Sequence, residues 1–325
     1  MSSRRWAGLC AAIAFLPCLA SAHSTTLNLS GYADASGAIS IQFHGDTVDP
    51  YFALQALLLA RRNGLDISAY SAKWADWLLA RQKPDATFDR FCRTGPVWSP
   101  CKTADADDSL LALWLEFLRT MPAGSLKSHP AWLHSEKVSQ LALSRLLDPR
   151  RGIYLVSPVY QYGLFMDNLE VWAGEHDATP AEDCARSRLA ESIDAKFWDA
   201  GTGRYLVSTQ SGQKLVKPAF YPDAVAQIYP LLEGFPILHG SAHAWYTHWI
   251  EEYRSTWLKQ AHSDFAWGLV ALVAWKQDDP DSARCWLRAT LPYRHTVHWT
   301  VTDEVVLQIL NAHHVSPAGS GADCS

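Results

Sequence analysis

Residues 23–45 alternate weakly between apolar and polar positions (Leu27, Leu29, Ile39, Ile41, Phe43) and read as an extended lead-in. From Pro50 onward the spacing becomes helical. It predicts eleven helices, near 50–63, 68–82, 107–120, 130–147, 164–175, 180–198, 222–234, 241–259, 264–276, 280–290 and 302–314. Two kinds of helix alternate. One kind starts at an aspartate and is apolar on most sides, as where Asp107 precedes Leu110-Leu111-Ala112-Leu113-Trp114; Asp49, Asp167, Asp223, Asp264 and Asp303 open the others. The second kind carries charges along one face, as with Lys73, Asp76 and Arg81. A helix that is apolar all round must be buried, and an amphipathic one covers it. Successive aspartates stand 58, 60, 56, 41 and 39 residues apart, the signature of helical hairpins that close or stack to bury their inner members.

A second repeat marks the joints. Asp148-Pro-Arg-Arg-Gly152-Ile-Tyr154-Leu-Val-Ser157 matches Asp199-Ala-Gly-Thr-Gly203-Arg-Tyr205-Leu-Val-Ser208 at six of ten positions. Each copy follows an outer helix and precedes an inner one, so each predicts a turn and a short strand.

Ahead of the array, Arg4 and Arg5, an apolar run from Trp6 to Leu19 and Ala20-Ser21-Ala22 have the form of a signal peptide over residues 1–22. The run is too short to span a bilayer, and export to the periplasm or the medium is the expectation. Without that segment 26 basic side chains face 33 acidic ones, a net charge of −7, which argues against nucleic acid or an anionic membrane as partner. Cys92 and Cys101 flank a Gly/Pro-rich loop and are expected to pair in an oxidising compartment. Cys184 and Cys285 are open between buried thiols and a second bridge. Cys324 falls in a Gly/Ser/Ala tail, 316–325, expected to be disordered.

Six inner and five outer helices over residues 46–315 resemble the all-α (α/α)6 toroid of six-hairpin glycosidases and polysaccharide lyases, with the N-terminal segment in place of one outer helix. The phrase Phe197-Trp198-Asp199…Gly203-Arg204-Tyr205 is similar to members of that superfamily. An open (α/α) solenoid is the alternative. The resemblance implies that the N-terminal ends of the inner helices line a substrate cleft. Asp is also a favoured helix cap, so each aspartate alone has a purely structural explanation. Two places carry more. Asp105-Ala106-Asp107-Asp108 puts three carboxylates in four residues; its Asp-Ala-Asp resembles family 8 endoglucanases, whose Glu-Gly motif is absent, and the four residues also match the Asp-x-Asp-Asp of class II terpene cyclases. Phe165-Met166-Asp167-Asn168 resembles the Ile-Ile-Asp-Asn segment of unsaturated glucuronyl hydrolases, which implies Asp167 as acid with Asp107 as its partner; that family's His-Asp-x-Gly-Phe motif is missing.

Fifteen Trp and twelve Tyr favour a saccharide ligand, whose flat apolar faces stack on rings. Trp98, Tyr160, Tyr162, Tyr221, Trp267 and Trp299 lie at loops or helix starts on the expected cleft side, and Asp49, Asp105, Asp223 and Asp264 are expected to hold sugar hydroxyls. His239 and His243 share helical spacing without a completing ligand, so no metal and no cofactor are expected. The chemistry expected is glycoside hydrolysis by the Asp107/Asp167 pair on an oligo- or polysaccharide. The alternatives are a glycan-binding or polysaccharide-assembly protein, or a lyase with Tyr162 or His243 as base.

Overall fold

The structure, a computed structural model, describes residues 25–122, 124–174, 180–213, 217–318 and 324. The segment read as a signal peptide lies outside them. Six inner helices are α1 (Pro50–Arg62), α3 (Asp107–Arg119), α6 (Phe165–Gly174), α8 (Val225–Glu233), α10 (Gly268–Lys276) and α12 (Val301–Ala312). Five outer ones are α2 (Ser68–Leu79), α5 (Pro130–Leu146), α7 (Pro180–Phe197), α9 (Ala242–Trp257) and α11 (Pro280–Thr290); the single-turn α4 (Ser125–Ser128) was not foreseen. The inner helices pack in sequence, α1 on α3, α3 on α6, α6 on α8, α8 on α10 and α10 on α12, and α12 returns to α1. That last contact closes the array, so the fold is the (α/α)6 toroid and not the open solenoid.

The N-terminal segment occupies the seam. Leu27, Leu29, Tyr32 and Ile39 are buried in the common core. The backbone N–H groups of Asn28 and Leu29 donate to Gln308 of α12 (2.9 Å) and to the hydroxyl of Tyr70 of α2 (2.8 Å). One stretch of extended chain thus ties the last hairpin to the first. At the C-terminal end of the ring, Arg62 of α1 makes ion pairs with Glu116 of α3 (2.5 Å) and Glu233 of α8 (3.0 Å), closing that end with charge.

The two copies of the decapeptide are built alike. Strands β4 (Leu147–Asp148) and β5 (Ile153–Tyr154) form one small hairpin, β6 (Trp198–Asp199) and β7 (Arg204–Tyr205) the other. The backbone of Tyr154 is gripped by the side-chain amide of Asn168 on α6, which accepts from its N–H (2.7 Å) and donates to its carbonyl (3.0 Å). Gln227 on α8 does the same to Tyr205, at 2.9 Å each way. A carboxamide here completes the ladder a missing strand would supply, which fixes each joint on the helix that follows it.

A further sheet, β1 (Thr47–Val48), β2 (Asp89–Thr94) and β3 (Val97–Thr103), stands beside the N-termini of α1 and α3. Cys92 on β2 and Cys101 on β3 are disulfide-bonded. Cys285 is buried and bonded to Cys324, so the position read as disordered tail is tied to α11; Cys184 is a free, exposed thiol. No helix among the described residues is long and apolar enough to cross a membrane.

Candidate active site

The N-terminal turns of all six inner helices border one cavity of about 700 Å³, within the usual size of small-molecule sites. Helix N-termini carry partial positive charge, so their convergence offsets part of the cost of placing carboxylates together. Asp49, Asp105, Asp167, Asp264 and Asp303 all line it.

Asp49 caps α1, accepting from the N–H of Tyr51 (3.1 Å). Burial raises its pKa above the ordinary carboxylate range, with Arg90 pulling against it through an ion pair at 2.5 Å. Arg90 also pairs with Asp105, whose side chain is 71% exposed. Arg90 sits on β2, with Lys102 opposite it on β3, so the disulfide-tied hairpin supplies one cationic wall.

Asp167 differs from its neighbours. It lies in the first turn of α6, partly buried, with Oδ2 sealed from solvent and unpartnered among the described residues. Desolvation, with the nearby Asp105 carboxylate adding to it, pushes its pKa up to about 7. The adjacent Asn168 is spent on Tyr154, which leaves Asp167 as the member of that pair free to face the cavity.

Behind it lies a buried polar floor. Glu170, one turn further along α6, accepts from the hydroxyls of Tyr51 (2.5 Å) and Tyr229 (2.6 Å), and Gln55 donates to both hydroxyls. Burial, with Asp167 as the next contributor, holds Glu170 well above the ordinary carboxylate range. Asp108 is likewise raised, by burial and then by Asp167, and both its oxygens are unpartnered among the described residues. Tyr51, Gln55, Tyr229 and Glu170 were missed by the sequence reading. The available signal was a lone polar residue inside an apolar helix face, as with Gln55 in Ala53-Leu54-Gln55-Ala56-Leu57.

The facing wall is aromatic. Tyr221 and Trp267 stack at 4.9 Å between ring centroids, and Phe265 and Phe52 continue the array. Trp267 adopts a left-handed backbone (φ 53°), a costly choice for a bulky residue, immediately before α10. Gly268 follows because a Cβ there would lie 2.9 Å from Trp286 and 3.0 Å from Asp303. Asp303 accepts from the N–H of Gly268 (2.7 Å) and forms a capping box with Thr300, and burial raises its pKa to about 6. The Trp267 indole donates to Asp264 (3.1 Å). Tyr221, though half-exposed, has its pKa pushed up to about 12, by desolvation from the cavity walls and then by Asp167, Asp105, Glu170 and Asp264, so its hydroxyl shares their field.

The cavity therefore gathers Asp49, Asp105, Asp167, Asp264, Tyr221 and Trp267 of the expected site. It does not gather the others. Asp107 is outside the lining, turned towards Lys83, Asp85 and Asp89, because the first residue of α3 points off the ring axis while Asp105 precedes it on the cavity side. Asp223 accepts from the N–H of Ala219 (2.9 Å) and so braces the link ahead of α8. Trp98 is buried and donates to Asp34 (2.8 Å), and Trp299 is buried against Trp286. Tyr160 and Tyr162 stand on the link before α6, outside the lining, and His243, exposed on α9, is outside it as well. The lyase alternative thus has neither of its named bases in the cavity. Among the described residues no group of three or more His, Cys, Asp or Glu side chains is placed to hold a metal ion.

No family model matches the chain, and no curated protein matches it. Among solved structures it is similar to that of a GH63 mannosylglycerate hydrolase from Thermus thermophilus in complex with glucose. The two are 11% identical over 87% of this chain and 98% of that one, with a TM-score of 0.49.

Proposed function

We propose that this is an exported glycoside hydrolase whose reaction takes place in the cavity at the N-terminal ends of the inner helices. The observation that carries this reading is the pairing of unlike carboxyls in one cavity. Asp167 faces the cavity with its Oδ2 sealed and unpartnered among the described residues and its pKa raised to about 7, while Asp105 is exposed and held by Arg90. Two carboxyl groups in different surroundings are what acid and base roles require. Asp167 gives its proton to the leaving oxygen as the glycosidic C–O bond breaks. Asp105, in place of Asp107, takes a proton from the water that forms the new C–O bond, and the proton returns to Asp167 through solvent after release. With water attacking the opposite face, the anomeric configuration inverts.

The Tyr221–Trp267 platform suits the flat face of a sugar ring, Asp264 at the cavity suits its hydroxyls, and buried Asp49 holds Arg90 beside it. Export is supported by the basic and apolar N-terminal pattern and by two disulfides. The test is to incubate the mature protein with a panel of neutral, acidic and amino polysaccharides, reading both reducing ends and alkene absorbance. New reducing ends without alkene are expected. Alkene formation would mean a lyase, and retention of a glycan without cleavage a binding protein.

A further inference from the structure

The large apolar side chains left exposed are not scattered. Among the described residues seven are exposed, and five of them (Val97, Val159, Tyr160, Tyr221 and Val297) stand on strands or links that lead into an inner helix at its cavity end. Single exposed apolar residues are ordinary, so what counts is how each is held and what lies beside it.

Tyr160 is the most informative member. It is 57% exposed, and its one ring neighbour among the described residues is Tyr162 at 6.1 Å. The link that carries it is pinned at both ends beside the proposed reacting groups. The carbonyl of Val156 accepts from the N–H of Asp107 (2.7 Å), and the N–H of Val156 donates to the carbonyl of Tyr162 (2.9 Å). Leu164, which closes the link, itself lines the cavity. Within the loop the hydroxyl of Ser157 accepts from the N–H groups of Val159 (3.2 Å) and Tyr160 (3.0 Å), so the aromatic tip is held in shape. The wall formed by α3 and α6 therefore has its own aromatic pair just outside the cavity.

We propose that the Tyr160–Tyr162 loop is a second saccharide subsite, beside the carboxylates and outside the cavity that Tyr221 and Trp267 line, so that the substrate is a polymer that extends beyond the cavity and is cleaved internally. The proposal rests on the glycoside hydrolase reading. A polymer, and not a second protein, suits the surface because it is continuous with the cavity through Leu164 and offers planar rings instead of a broad apolar face.

The test compares wild type and Tyr160→Ala on a polysaccharide that the panel shows to be cut and on the trisaccharide of the same sugar. The exposed tyrosine can be truncated without disturbing the core. Wild type should lower viscosity well before reducing ends accumulate. Tyr160→Ala should lose about tenfold in kcat/KM on the polymer, one ring contact with its apolar area, and leave trisaccharide cleavage or binding unchanged. Equal losses on both substrates, no loss on either, or stepwise release of small sugars from chain ends would overturn the second subsite while leaving the hydrolase reading intact. Failure of wild type to cut any saccharide would overturn both.

Discussion

Replacing Asp167 with Asn should stabilise the protein at neutral and alkaline pH while abolishing turnover. The folded protein raises this carboxyl from 3.8 to about 7 by desolvation and the proximity of Asp105. Below pH 4 the group is neutral in both folded and unfolded chains and costs nothing. As pH rises through the window from about 4 to 7, the unfolded chain ionises freely and the folded one does not, so stability is lost; above 7 the loss is constant. Three units correspond to about 4 kcal/mol. Asn keeps the shape without the charge, and its own unmet hydrogen bonds return roughly 1–2 kcal/mol. A net gain of about 2 kcal/mol at pH 8 remains, or about 3 °C in Tm for a domain of this size. Thermal melts of wild type and Asp167→Asn across pH 4 to 9 measure it. The gain should be present at pH 8 and absent or reversed at pH 4. A Tm difference that is the same at both pH values would refute the reasoning, since it would mean that Asp167 is not held protonated by its surroundings.

Other outcomes follow from the same geometry. Because Asp167 must carry a proton to act as the acid, kcat/KM should fall about tenfold per pH unit above roughly 7, and stopped assays from pH 5 to 9 give that limb. Substituting Arg62 with Met removes the guanidinium shared by Glu116 and Glu233 and leaves Lys276 beside Glu233, so urea denaturation should show a loss of roughly 1–3 kcal/mol with little change in ligand affinity. Cys324→Ser opens the 39-residue closure to Cys285 and should cost about 4 kcal/mol by chain entropy, read in the same denaturation curves.

The ring itself could be read from the sequence because it follows from side-chain periodicity. Helices that are apolar all round need covering, and the alternation of the two kinds gives hairpins. The decapeptide repeat predicted two turn–strand joints. Its partners Asn168 and Gln227 could not be foreseen, because a carboxamide gripping a strand backbone leaves no local pattern. Convergence of the inner N-termini was legible, but which side chain of each first turn faces the axis was not. Asp105 and Asp107 are two positions apart, and only the phase at which α3 begins puts one on the cavity and turns the other away. The aromatic candidates divided by the same cause. Trp299 and Trp98 sit at element starts as Trp267 does, yet of the three only Trp267 lines the cavity, and it alone has a left-handed backbone. Cys324 could not be paired from sequence, since a Gly/Ser-rich stretch says nothing about where its end is anchored.

The claim on which everything else depends is that a glycosidic bond is cut in this cavity by Asp167 and Asp105. Proton NMR of the anomeric region during cleavage, with wild type, Asp167→Asn and Asp105→Asn under identical conditions, tests it directly. The prediction is a first product of inverted configuration from wild type and a rate lower by at least about 100-fold in each variant. Undiminished cleavage by both variants, or no cleavage of any saccharide by wild type, would contradict it.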